Sequence, residues 1–215
     1  MQEQRKYNLI IWDWNGTLFN DVEWNIGVIN KMLAKRNLKT LDSKADYHNV
    51  FCFPVVDYYK KLGFDFDKEP FEELAVEFIK LYHLNNTGNS QLCKNAIIVL
   101  NEIRSKGIEQ IILSASELDN LLSQINVFNI NHYFKTILGL SDIYAKSKID
   151  IGRNYIEISK PERAILIGDT IHDFEVANAL GVDCLLTANG HSGKKSLLKC
   201  GVPVLDDIIQ VLNYI

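Results

Sequence analysis

Cysteine pairs, proline and glycine are all scarce in this sequence, and each scarcity excludes a class of protein. The 215 residues include 12 Gly and 4 Pro, too few for a collagen-like chain or a disordered linker. The four cysteines are scattered, with no Cys-x-x-Cys pair and no histidine at metal-ligand spacing. We therefore expect reduced, mostly buried thiols instead of a disulfide framework or a zinc site.

Basic blocks and long apolar runs are also missing. The 23 Lys and Arg are outnumbered by 27 Asp and Glu, which gives a formal charge of -4 and argues against nucleic acid as a partner. The longest apolar runs, such as residues 9–12 and 96–100, are about five residues long, against the roughly 20 that a membrane span needs. The polar start, residues 1–7, shows no signal peptide. We expect a cytoplasmic monomer or homodimer.

Short apolar runs recur along the chain with helical patterns between them. Runs that are apolar at nearly every position are typical of strands buried on both faces, as in a parallel sheet. Helical spacing connects them, for example at Ala96, Leu100 and Ile103. The alternation predicts an α/β fold with a Rossmann-like parallel sheet. The predicted strands cover residues 9–12, 111–113, 136–138, 164–167 and 182–186.

The stretch from residue 20 to residue 89 breaks this alternation, because it has helical patterns and no convincing strand. Val22, Ile26, Ile29 and Leu33 fall on one helical face. Asp21 stands where a side chain caps the helix or complements its start. A second stripe begins at Phe71, and residues 85–89 are predicted to form the return linker. We expect a helical cap over residues 20–87, inserted into a core of residues 1–19 and 88–215.

Polar residues follow four of the predicted strands in chain order. Asp13 follows the first strand, before Gly16, which permits a sharp turn. Ser114 follows the second strand, Lys146 and Lys148 come after the third, and the segment from Gly168 to Asp173 includes Asp169. Because the carboxyl ends of parallel strands lie at one edge of a sheet, these side chains are expected to share one crevice.

These motifs resemble those of the haloacid dehalogenase superfamily of phosphohydrolases, and the cap places the chain nearest to members such as phosphoglycolate phosphatases. The resemblance implies a phosphatase that acts on a small phosphorylated metabolite. Asp13 would be the nucleophile that forms an aspartyl-phosphate. Mg²⁺ would be bound by Asp13, the backbone carbonyl of Asn15, Asp169 and Asp173.

The resemblance also implies a set of phosphate-binding groups. Ser114 would donate a hydrogen bond to a phosphate oxygen, and one lysine would supply a positive charge. We favour Lys148 over Lys146, because in the family this lysine opens the helix before the fourth strand. Asp173 would hold a metal-bound water or fix Lys148. The remaining candidate donors are the backbone N–H groups of Trp14, Asn15 and Ala115.

Asn15 departs from the family pattern, in which an aspartate stands two residues after the nucleophile. That aspartate protonates the leaving oxygen and then activates water, and an amide can do neither. The first hypothesis is a slow or selective phosphatase for substrates whose leaving group needs no proton, such as acyl or aryl phosphates. It predicts a large gain for alkyl phosphates in Asn15→Asp.

Other interpretations of the site stay open. A phosphonatase-like hydrolase would use a cap lysine, for which Lys44, Lys60 and Lys61 are available. A non-catalytic module would bind phosphate or a metabolite without turning it over, and a receiver-type switch phosphorylated on Asp13 fits less well. Conversion of Asn15 to Asp through the adjacent glycine is a further hypothesis.

The apolar segment of residues 50–55 is predicted to face the site from the cap. It contains no Arg or Lys, which weakens the case for phosphoglycolate as the substrate. Among the five histidines, His172 is the one expected nearest to the phosphate.

Overall fold

The computed structural model describes residues 6–84, 91–144 and 147–215. Seventeen regular helices and strands are labelled in chain order, and three short 3-10 helices cover Asn131–Tyr133, Leu198–Cys200 and Ile208–Asn213. The labelled elements are β1 (Leu9–Trp12), β2 (Phe19–Asn20), α1 (Val22–Lys35), α2 (Lys44–Val50), α3 (Val55–Lys61), α4 (Phe71–Leu84), β3 (Gln91–Leu92), α5 (Ala96–Ser105), β4 (Glu109–Glu117), α6 (Leu118–Val127), β5 (Thr136–Leu140), α7 (Ile149–Ser159), β6 (Ala164–Gly168), α8 (Ile171–Leu180), β7 (Asp183–Thr187), α9 (Lys194–Leu197) and β8 (Val204–Leu205).

Six parallel strands form one sheet in the order β5-β4-β1-β6-β7-β8. The predicted α/β class and parallel sheet are confirmed. Strand β1 lies between β4 and β6, and Ile11 is opposite Ile111 on one side and Leu166 on the other. The strands that carry Asp13, Ser114 and Asp169 are therefore adjacent at the centre of the sheet.

Each central strand is buried on both faces, as its continuous apolar sequence predicts. Ile10 and Trp12 face one hydrophobic cluster, whereas Leu9 and Ile11 face another on the opposite side of the sheet. This alternation follows from the two-residue period of a strand. Helices α5 and α6 cover the first face, and α7 and α8 cover the second.

Helices α1 to α4 form a separate apolar cluster that includes Ile29, Leu33, Tyr58 and Leu74. The two helical stripes predicted for this segment are confirmed as α1 and α4. The interpretation that residues 20–89 lack strands is wrong at its edge, because Phe19–Asn20 pairs antiparallel with Gln91–Leu92. This short ladder pairs the segment that leads from β1 to α1 with the segment that leads into α5. The predicted linker at residues 85–89 lies outside the described residues.

Candidate active site

Three aspartates meet where β1 and β6 end. Asp13 directly follows β1, Asp169 directly follows β6, and Asp173 lies in the first turn of α8. All three are buried, and one carboxylate oxygen of each lies within 4.8 Å of the others. The predicted convergence at one sheet edge is therefore present in the structure, although the roles of these residues remain predictions.

Lys148 lies between two of these carboxylates. It directly precedes α7, and its side chain is 1% exposed. Its Nζ forms an ion pair with Asp13 Oδ1 and another with Asp173 Oδ1 at 2.7 Å. Lys146, the alternative, lies outside the described residues.

Burial and mutual repulsion control the charges of the cluster. Burial, followed by the nearby charge of Asp173, raises the pKa of Asp13 well above its ordinary value. Burial raises the pKa of Asp169 to about 6, even though His191 acts in the opposite direction. Burial acts against the charged form of Asp173, but the charge of Lys148 prevails and lowers the pKa of Asp173. Burial also acts against the charged form of Lys148, but the charges of Asp13 and then Asp173 prevail and raise its pKa.

Three glycines leave room for the carboxylates. A Cβ on Gly16 would lie 2.3 Å from Asp169 Oδ2, and one on Gly190 would lie 2.0 Å from the same oxygen. A Cβ on Gly168 would lie 2.2 Å from Asp173 Cγ. The cluster contains three carboxylates and one lysine, and side chains at these glycine positions would fill the space around it. Such a set of oxygen ligands suits a hard divalent cation.

The side-chain amide of Asn15 forms a hydrogen bond on each side. Its Nδ2 donates to Asp21 Oδ2 at 2.8 Å, and its Oδ1 accepts from Ser116 Oγ at 2.8 Å. Asp21 also accepts from the Gly16 N–H at 3.1 Å and from Tyr82 Oη at 2.9 Å. Asp21 is the N-cap residue of α1, but of the two roles expected for it the side-chain cap is wrong, because its side chain makes no cap hydrogen bond. It is turned toward Asn15 instead.

His191 is a buried residue of the site that the sequence analysis did not single out. Its Nε2 lies 3.1 Å from Asp21 Oδ1, its Nδ1 lies 2.7 Å from Tyr47 Oη, and its backbone N–H donates to Asp169 Oδ2 at 2.6 Å. Burial lowers the pKa of His191, but the charge of Asp21 outweighs burial and raises it to about 9. The pKa of Asp21 is lowered, because His191 outweighs its burial. In the sequence, His191 is only a histidine that follows an apolar strand, and its spacing from other residues predicts no role for it.

Ser114 and Ala115 line a cavity above the aspartates. Ser114 does not cap the following helix, since Glu117 performs that role by accepting from the Asn120 N–H. The strand continues to Glu117, four residues beyond the expected end at residue 113. The side chain of Trp14 packs in the core, where it stacks on Phe19 at 5.4 Å.

Residues 10–187 match the model of the haloacid dehalogenase-like hydrolases. The chain belongs to that family. The resemblance stated from the motifs is thereby confirmed, and the expectation of a phosphatase-type hydrolase agrees with the match. No curated protein matches the chain significantly.

Solved structures with the haloacid dehalogenase-like fold superpose over almost the whole chain. A haloacid dehalogenase-like hydrolase from Streptococcus pneumoniae has a TM-score of 0.81 at 22% identity, covering 97% of this chain and 98% of its own. A predicted phosphatase from Clostridium acetobutylicum reaches 0.77 at 18% identity, with 97% of both chains covered. A predicted phosphoglycolate phosphatase from Haemophilus somnus reaches 0.80 at 17% identity, with 99% of both covered. At these identities the likeness concerns the fold.

The cap lysines required by a phosphonatase-like member of the family are engaged elsewhere. Lys44 Nζ donates to the Asn189 carbonyl at 2.7 Å, Lys60 pairs with Asp57 at 3.0 Å, and Lys61 Nζ lies 3.1 Å from Cys52 Sγ. None of the three lines the cavity above Asp13. No helix in the described part of the chain is long and apolar enough to cross a membrane.

Proposed function

We propose that this chain is a Mg²⁺-dependent phosphohydrolase of a small phosphorylated compound, acting through an aspartyl-phosphate on Asp13. The observation that carries the proposal is the position of Asp13 at the wall of a cavity, beside the buried ammonium of Lys148 and two further carboxylates. Family membership supports phosphoryl-transfer chemistry at this position, as do the phosphatase descriptions of similar structures.

In the proposed reaction the carboxylate of Asp13 attacks phosphorus. The bond from its oxygen to phosphorus forms while the bond from phosphorus to the leaving oxygen breaks, and the electron pair departs with that oxygen. Water then attacks the phosphorus of the aspartyl-phosphate, which releases inorganic phosphate and restores the Asp13 carboxylate. Splitting the hydrolysis in this way replaces one difficult step with two easier ones.

Charge repulsion is the main obstacle to this attack, because carboxylate and phosphate are both anionic. A Mg²⁺ ion bound by Asp13, Asp169, Asp173 and the Asn15 carbonyl would neutralise charge on the phosphate oxygens. Lys148 adds a fixed positive charge beside Asp13, which favours the ionised nucleophile. Ser114 and the backbone N–H groups of Trp14, Asn15 and Ala115 are proposed to bind the remaining phosphate oxygens.

Asn15 limits the chemistry to leaving groups that depart without a proton from the protein. Its amide is already hydrogen-bonded to Asp21 and Ser116, and an amide does not act as a general acid or base near neutral pH. The cap of residues 20–87 is proposed to close over the core of residues 1–19 and 88–215, so that bulk water is excluded during transfer.

The test is hydrolysis of acetyl phosphate and p-nitrophenyl phosphate with and without Mg²⁺, comparing the wild type with Asp13→Asn. We expect Mg²⁺-dependent turnover that Asp13→Asn abolishes. Intact-mass analysis of the wild type quenched in acid should show one added phosphoryl group, mapped to the peptide that contains Asp13. Asp150→Asn is the matched control, because the Asp150 side chain is 95% exposed. Turnover that persists in Asp13→Asn would contradict the proposal.

A further inference from the structure

The cavity above Asp13 is apolar and aromatic on the side of the cap. It has a volume of about 180 Å³, and apolar cavities of about 150 Å³ take up a benzene molecule. Space of this order therefore admits one aromatic ring. Its cap-side wall is built from Phe51, Phe53, Tyr58, Phe71, Phe78 and Tyr82.

The basic side chains Lys148 and His191 line this cavity, and each is already paired with aspartates of the protein. Among the lining residues within 6–84, 91–144 and 147–215, Lys148 is the single lysine or arginine, and it is paired with Asp13 and Asp173. The lining also includes the carboxylate of Glu117. A second carboxylate or phosphate on the substrate would lose its hydration without gaining a cationic partner that is free of a protein carboxylate, which is costly.

Two neutral polar groups in the wall lack partners in the described part of the chain. The hydroxyl of Tyr58 and Nε2 of His172 are both buried without a hydrogen bond. The ring of His172 stacks on Phe53, with 4.7 Å between centroids and 23° between planes. Neither group adds a charge to the cavity wall.

The amide of Asn15 independently restricts the leaving group. A phenol has a pKa of about 10, as in tyrosine, whereas alkoxide-like leaving groups resemble water, with a pKa of about 16. A phenolate therefore departs from phosphorus without a proton donor, and an alkoxide does not. The wall of the cavity and the chemistry at Asn15 consequently favour the same class of compound.

We propose that the substrate is an aryl phosphate whose body carries no second anionic group. This inference rests on the phosphohydrolase function proposed above. The bond from phosphorus to the phenolic oxygen breaks as Asp13 attacks, and the phenolate leaves with the electron pair. It takes a proton from water, and hydrolysis of the aspartyl-phosphate by water then yields inorganic phosphate.

Binding of three unreactive phosphonates tests recognition separately from leaving-group chemistry. Titration calorimetry with Mg²⁺ should show benzylphosphonate binding at least tenfold more tightly than methylphosphonate or phosphonoacetate, because burial of a ring contributes about as much as burial of a phenylalanine side chain. Equal affinities, or tighter binding of phosphonoacetate, would overturn the proposed substrate class.

Kinetics distinguish failure of this inference from failure of the function itself. We expect kcat/KM for phenyl phosphate to exceed that for ethyl phosphate and for phosphoglycolate by at least tenfold. Asp13-dependent hydrolysis of acetyl phosphate without that preference would leave the phosphohydrolase function standing and overturn the aryl class. No hydrolysis of any compound, and no phosphorylated Asp13, would overturn both.

A specificity change provides the sharpest variant. Ile79 is a half-buried lining residue on α4, and Ile79→Arg would add the missing cation. We expect the ratio of phosphonoacetate to benzylphosphonate affinity to rise at least tenfold, since hydrogen bonds to charged groups are among the stronger ones. Ile158→Arg on the exposed surface of α7 is the matched control, because Ile158 is 74% exposed.

A second variant covers the case in which Ile79→Arg does not fold. Phe53→Leu removes the ring that stacks on His172 but keeps an apolar side chain. It should weaken benzylphosphonate binding severalfold and leave methylphosphonate binding within twofold. Equal losses for both ligands would show that the ring is not recognised there, which contradicts the proposal.

Discussion

Asn15 is the residue on which the proposed chemistry depends most. Its amide donates to a buried carboxylate on one side and accepts from a hydroxyl on the other, so its orientation is set by Asp21 and Ser116. An aspartate at position 15 would place two carboxylates about where a donor and an acceptor now lie 2.8 Å apart. Like charges at that separation disfavour ionisation of both groups.

From the sequence alone a large gain for alkyl phosphates is expected in Asn15→Asp, but the neighbouring Asp21 changes that expectation. Asn15→Asp alone should give little gain, whereas Asn15→Asp combined with Asp21→Asn should give a large one. In the double variant the amide and the carboxylate exchange positions, so the new acid has a hydrogen-bond donor beside it. General acid–base catalysis contributes about 10²- to 10⁴-fold, and we expect a gain of at least tenfold over either single variant. The measurement is kcat for ethyl phosphate across a pH series.

Two controls accompany this measurement. Asp21→Asn alone should leave ethyl phosphate turnover as low as in the wild type, because Asn15 still cannot transfer a proton. Thermal unfolding of each variant checks that lost contacts around Asp21 have not unfolded the cap. If Asn15→Asp alone equals the double variant, Asp21 does not control the residue at position 15.

At the scale of single elements, strands were easier to predict than the contacts between loops. The sheet and the strand ends bearing Asp13 and Asp169 could be predicted because burial on both faces leaves a continuous apolar run. The pair of Asp21 and His191 could not, because its partners lie 170 residues apart. Asp21 also precedes a helix, where capping is the commonest use of aspartate, so local preference predicted the wrong contact.

Arg36 links the end of α1 to α4 and to the segment before it. Arg36, directly after α1, donates to Glu69 through Nε at 2.6 Å and Nη2 at 2.7 Å, and to Glu77 on α4 through Nη2 at 2.6 Å. Its guanidinium also lies over the ring of Phe64, 5.4 Å from the centroid. Lys35 contacts Glu77 as well, but its side chain is 64% exposed.

Arg36→Ala should therefore destabilise the cap much more than Lys35→Ala. We expect Arg36→Ala to lower the free energy of unfolding by about 1–2 kcal/mol, because charge-assisted bonds from a mostly buried guanidinium are lost. Lys35→Ala should cost less than about 0.5 kcal/mol, as exposed ion pairs do. Urea unfolding measured by circular dichroism makes the comparison. Equal losses would mean that the network contributes no more than a surface pair.

Across the whole molecule, helix α2 contacts the loop that follows β7 of the large sheet. Tyr47 Oη and His191 Nδ1 are 2.7 Å apart, His48 Nε2 lies 3.0 Å from the Gly190 carbonyl oxygen, and Lys44 donates to the Asn189 carbonyl oxygen at 2.7 Å. All three cap residues belong to α2. His191 also contacts Asp21, which directly precedes α1. One imidazole of the loop therefore contacts both α2 and the start of α1.

This arrangement predicts that stability declines as pH rises through the titration of His191. Its pKa is raised to about 9 from an ordinary value of 6.5, so its ion pair with Asp21 stabilises the folded chain fully below about pH 6.5 and is lost by about pH 9. Asp21, whose pKa is lowered, keeps its charge throughout that interval. Melting temperatures of the wild type and His191→Asn, measured in a chelator from pH 6 to pH 9.5, should therefore converge as pH increases.

His132→Asn is the matched control for this experiment, because His132 is exposed on the core, away from α2. Its melting temperature should follow that of the wild type at every pH. Hydrogen exchange should localise the effect, with amides of α2 exchanging faster at pH 9.5 than the intrinsic pH dependence explains. A constant difference between the wild type and His191→Asn at all pH values would mean that His191 stabilises the interface by packing alone, because an ion pair must weaken as its cation loses the proton.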